Sequence, residues 1–181
     1  MRIFIAIPIP SEIKREIEKW SQSYKRVASS LKWLSPNLWH ITLVFLGEIN
    51  QVQLNQSSEI ISSIAKNISP FYLTTENLIV FPNFNCPSTV TLKIRHSCPL
   101  EKIVFDLRTR FDQEKIGSPD ERQFKPHITL ARNKEKVGNI SFLKKEKINC
   151  KFKVNKVNIM KSIPGLNGSR YINIRSIGLK K

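Results

Sequence analysis

His40-Ile41-Thr42-Leu43 recurs as His127-Ile128-Thr129-Leu130, and these two tetrapeptides decide the reading of the chain. Each lies in a strongly β-forming run, Trp39 to Leu46 and His127 to Arg132. Side chains alternate between faces along a strand. Strict alternation sends His40, Thr42 and Val44 one way and Ile41, Leu43 and Phe45 the other; it likewise sets His127 and Thr129 against Ile128 and Leu130. Each copy thus offers one polar pair and one apolar anchor. His96, the third histidine, has no such motif and reads as an ordinary surface or core residue.

Outward from these strands, residues 2–8 alternate as a first strand. Ser11 is placed to cap a helix with the apolar stripe Ile13, Ile17, Trp20, Tyr24 and Val27. A second helix is predicted over about 52–68 on Leu54, Ile61, Ile64 and Ile68. A third follows Pro99 on Leu100, Ile103, Val104, Leu107 and Phe111. Segments 71–81, 88–95, 151–161 and 170–179 join 39–46 and 126–132 as β-rich stretches, with loops at 82–87 and 115–125. This order lacks regular βαβ alternation, so it predicts an α+β fold with helices on the outer faces. No low-complexity linker divides residues 1–181. A single domain with a core large enough to need neither disulfide nor metal is expected.

The formal charge of +16 favours polyanionic partners, because cations near phosphates release counterions and steer association. Part of the excess is a lysine-rich run between Arg132 and Lys156, including Lys134, Lys136, Lys144, Lys145, Lys147, Lys151 and Lys153, which reads as solvated surface. Cys86, Cys98 and Cys150 form no CxxC or Cys/His cluster and read as small buried residues in a reducing cytoplasm. The opening apolar run is too short for a signal sequence. No segment approaches the ~20 apolar residues of a membrane span.

Two imidazoles facing one cavity suit phosphodiester chemistry. One neutral ring takes a proton from water while the other, protonated, gives one to the departing sugar oxygen. The hydroxyls of Thr42 and Thr129 can donate to non-bridging phosphate oxygens as charge gathers there. No His-x-His, HExxH or acidic cluster suggests a metal, and no cofactor is expected.

At these residues the chain resembles the 2H phosphoesterase superfamily, and within it the RNA 2′,3′-cyclic phosphodiesterases, also described as 2′-5′ RNA ligases. Arg2 to Ile7 is similar to the family's first strand. Trp39 to Glu48 is similar to its first motif with the trailing Leu46-Gly47-Glu48, Phe124 to Arg132 to its second, and Ser162 to Tyr171 to its closing segment. The strand Val90 to Ile94 departs from the pattern in lacking a tryptophan. The resemblance implies two pseudo-symmetric lobes whose antiparallel sheets line a central cleft. It implies His40 as proton donor and His127 as acceptor, although equivalent rings can exchange roles. It also implies Thr42, Thr129 and Arg132 as phosphate ligands, although simple alternation points Arg132 away from His127. The substrate implied is RNA ending in a 2′,3′-cyclic phosphate; a monomer is the default expectation. The competing readings are 2′-5′ ligation, hydrolysis of another cyclic or 2′,5′-linked nucleotide, and a non-catalytic RNA-binding module.

Overall fold

The computed structural model describes residues 1–119, 123–133, 138–165 and 168–180. Lys134 and Lys136 of the lysine-rich run lie outside the described residues, as do parts of the 115–125 loop and of the Ser162–Tyr171 segment. The rest of the run, from Lys144 to Lys156, has its lysines exposed, as expected.

The elements run β1 (Arg2–Pro8), α1 (Ser11–Tyr24), β2 (Lys32–Trp33), β3 (His40–Glu48), α2 (Gln51–Ala65), β4 (Phe71–Pro82), β5 (Pro87–Ile94), α3 (Cys98–Gln113), β6 (His127–Arg132), β7 (Lys151–Val154), β8 (Lys156–Ile163) and β9 (Arg170–Gly178). The fold is α+β, as its element order predicts. The strands form one antiparallel sheet in the order β7-β4-β5-β6-β3-β1-β8-β9, with β2 beside β6. Its two halves, β7-β4-β5-β6 with β2 and β3-β1-β8-β9, meet at β3 and β6 through a single antiparallel pair, Ile41 opposite Ile128, both fully buried. Full burial of such a side chain contributes about 1.5–3 kcal/mol.

The sheet halves correspond, but their helices do not. Helices α2 and α3 pack together on the half containing β3, β8 and β9. Helix α1 crosses to the other half, where Trp20 Nε1–H donates to Glu146 at 3.0 Å and the Cys150 thiol donates to Glu16 at 3.1 Å. No helix among the described residues is long and apolar enough to cross a membrane.

Several sequence expectations are corrected. Helix α1 stops at Tyr24, leaving Val27 66 % exposed rather than in the stripe. Pro10 occupies its N-cap without a side-chain bond, while Ser11 Oγ donates to Glu12. Helix α2 begins instead from a reciprocal capping box, Asn50 with Gln53. The predicted strand 151–161 is two strands broken at Asn155: β7 pairs with β4 in one half and β8 with β1 in the other. Cys150 is buried, but Cys86 and Cys98 are exposed.

Gly117, just beyond α3, shows why that helix ends against β3. Its φ is +68°, and an added Cβ would lie 2.2 Å from the Leu46 carbonyl oxygen, which accepts Ser118 N–H at 3.1 Å. Backbone cannot give way as a flexible side chain can. Gly117→Ala should therefore lower stability by about 2 kcal/mol or more. Urea unfolding followed by far-UV circular dichroism checks this; an unchanged midpoint would contradict it.

Candidate active site

The Ile41–Ile128 pair determines how the two motifs meet. Continuing its antiparallel register places His40 across from Thr129 and Thr42 across from His127. Side chains next to an inward-pointing residue lie on the opposite face. Both histidines and both threonines therefore share the face away from the buried isoleucines. The strands are paired only at this point, and a cavity of about 350 Å³ opens beside it, lined in part by Thr42 and His127.

Strict alternation ends one residue after each threonine. On β3, Thr42 pairs with Ala6 and Val44 with Ile5, which leaves Leu43 as the extra residue of a β-bulge. Leu43 and Val44 are consequently both buried, and Phe45 turns to the cleft side, 46 % exposed. This reverses the faces expected for Val44 and Phe45. On β6 the same shift falls at Leu130, because Thr129 pairs with Thr91 and Ala131 with Val90. Ala131 is buried, while Arg132 is exposed on the face shared with His127 and Thr129. The bulge thus overrides the simple alternation that would point Arg132 away from His127.

The two imidazoles are held alike. His40 Nδ1 lies 2.7 Å from the Leu38 carbonyl oxygen, and His127 Nδ1 lies 2.7 Å from that of Lys125. A carbonyl only accepts, so each Nδ1 carries the hydrogen and each Nε2 is left for chemistry. In the first motif Nε2 is 3.1 Å from Thr42 Oγ1. These backbone acceptors two residues upstream have no side-chain signature, which is why sequence reasoning missed them.

Phe4 and Tyr171 both pack on His40. The ring centroids are 5.0 Å from Phe4 to His40, 5.1 Å from His40 to Tyr171 and 5.1 Å from Phe4 to Tyr171. Burial holds the His40 imidazole below its ordinary pKa; the Leu38 hydrogen bond opposes this, and the charges of His127 and then Lys14 add to the lowering. Lys14 on α1 is another contributor that no motif marks. His96 stands apart, with Nε2 3.1 Å from a Glu101 carboxylate oxygen. Among the described residues, no group of three or more His, Cys, Asp or Glu side chains could hold a metal ion.

Residues 7–91, which include the first motif, match the family described as LigT-like phosphoesterase. An Archaeoglobus fulgidus protein named RNA 2′,3′-cyclic phosphodiesterase is 28 % identical over 136 residues, covering 75 % of this chain and 74 % of that protein. A Bacillus subtilis protein of the same name is 29 % identical over 132 residues, covering 71 % and 69 % respectively. Over these stretches the chain is similar to LigT-like phosphoesterases. The fold agrees over nearly the whole length. A Thermus thermophilus crystal structure superposes with a TM-score of 0.85 at 24 % identity, covering 99 % of this chain and 98 % of that one. Escherichia coli LigT complexed with 3′-AMP superposes at 0.78 with 22 % identity and the same coverage. The second motif lies beyond the family match, yet this LigT-like fold carries it to the first.

The lowered His40 pKa has a consequence for stability. Between about 6.5, the ordinary histidine value, and the lower folded value, the unfolded chain binds more protons than the folded one. Stability present above about pH 6.5 is therefore lost as pH falls through the folded pKa. A His40→Asn variant should lose less stability over this window than the wild type. Urea midpoints measured across it check this, and parallel curves would contradict it.

Proposed function

We propose that this chain hydrolyses 2′,3′-cyclic phosphodiester ends of RNA to 2′-phosphomonoesters. The observation that carries this reading is the pair of imidazoles held at Nδ1 by backbone carbonyls, with both Nε2 atoms and both threonines on one cleft face. The names of the relatives support the same substrate class.

In the proposed step, water attacks phosphorus in line with the departing 3′ oxygen. His127 Nε2 accepts the water proton, the P–O3′ bond breaks, and His40 Nε2–H protonates O3′. The products are a 2′-phosphate and a 3′-hydroxyl. Thr42 and Thr129 donate to the non-bridging oxygens, and Arg132 binds the phosphate or a neighbouring nucleotide. The reverse reaction joins ends through a 2′-5′ linkage, but the large excess of water favours hydrolysis. The reading includes a monomer acting as one bilobal domain in the cytoplasm, without metal or cofactor.

The test is to incubate the protein, in EDTA, with an oligoribonucleotide ending in a 2′,3′-cyclic phosphate and to identify the product by chromatography. The expected product is the 2′-phosphate, with His40→Ala and His127→Ala each lowering kcat by about 10²–10⁴-fold and the pH–rate profile bell-shaped. Untouched RNA that still binds would replace the enzyme with a binding module.

The donor role requires His40 to gain a proton that burial disfavours in the free cleft. An arriving phosphate anion supplies the opposite charge that stabilises it. Binding of a 2′-phosphorylated product should therefore take up protons near neutral pH, measured calorimetrically in buffers of different ionisation enthalpy. Absence of uptake would count against His40 as the proton donor.

A further inference from the structure

The cavity beside Thr42 and His127 continues away from the motifs. Arg108, Gln123 and Phe124 line both this space and a second one of about 400 Å³, which runs over α3 to Phe105. Phe45 at the near end is 46 % exposed and Phe105 at the far end 69 % exposed. Phe45 rests on Phe4 with ring centroids 5.6 Å apart, and Phe105 lies outside the stripe Leu100, Ile103, Val104, Leu107 and Phe111 that α3 buries.

Beside His40 an aromatic cluster fills the wall of the site. There Phe4 is 1 % exposed, and Tyr171 stands edge-on to both Phe4 and His40. Past Phe45 the two adjoining cavities offer a path for a substrate longer than its reacting end. Single-stranded RNA is held by aromatic rings that stack on bases and by cations that follow the phosphates. The groove supplies both, with the Arg108 guanidinium and Lys125 in its walls. Glu101, the carboxylate of the far cavity, has His96 3.1 Å away. The overall charge of +16 suits the same occupant.

We propose that the groove from Thr42 and His127 past Phe45 and Phe124 to Phe105 seats RNA nucleotides upstream of the terminal cyclic phosphate, with Phe105 stacking on a base. This rests on the RNA reading above. It makes the protein a reader of oligonucleotide ends rather than of isolated cyclic mononucleotides.

The test compares a nucleoside 2′,3′-cyclic phosphate with a trinucleotide carrying the same terminal group. The wild type should favour the trinucleotide in kcat/KM. In Phe105→Ala that preference should fall at least about fivefold, mainly through KM, as expected for loss of a base–aromatic stack. Val52→Ala removes a comparably exposed apolar side chain from α2, outside the groove, and should leave the preference unchanged. An equal preference in Phe105→Ala and wild type would overturn the proposal. If the wild type hydrolyses neither substrate, the hydrolase reading fails separately. Fluorescence anisotropy with a 3′-phosphorylated trinucleotide then decides the groove: weaker binding by Phe105→Ala supports it, and equal Kd values overturn it.

Discussion

The site depends on one pair of side chains, Ile41 against Ile128. Each is buried, and together they form the one β-pairing between the two motif strands among the described residues, so the sheet halves are locked in register at a single point. A slip of one residue would turn one motif's polar face into the core. Desolvating His and Thr without partners costs more than burying isoleucine gains, so the hydrophobic pair specifies the polar arrangement. The short pairing also leaves room: the strands part on either side and the cleft opens between them.

The bulges at Leu43 and Leu130 extend that arrangement. Each places one extra leucine in the core and returns the following strand residues to the opposite alternation. Phe45 and Arg132 thereby join the face of the histidines. A bulge bends its strand and increases local twist, which suits the parting of β3 and β6. Burial then gives the two rings unequal surroundings. Both have Nδ1 anchored by a carbonyl two residues upstream, but His40 also packs against both Phe4 and Tyr171 and feels the charges of His127 and Lys14. Two identical motifs thus place their histidines in different surroundings.

Much of this was legible in the residues themselves. Apolar spacing located the three helices, and β-branched runs located the long strands, because local periodicity is written in the chain. The repeated His-Ile-Thr-Leu named both halves of the candidate site, since four residues recurring around two of three histidines carry information without any structure. The helix ends at Ser11 and Val27 were misplaced because caps depend on backbone geometry that propensity does not encode. The 151–161 stretch read as one strand, since only its separate partners, β4 and β1, divide it.

By itself, then, the sequence determined the α+β class, the paired motifs and their chemical types, all of which follow from local pattern. Tertiary structure alone decided the rest. It brought His40 across from Thr129, turned Phe45 and Arg132 through bulges, supplied the Leu38 and Lys125 carbonyls, and lowered the pKa of one histidine. Register, bulges and burial arise from contacts between residues far apart in the chain, and no local window contains them.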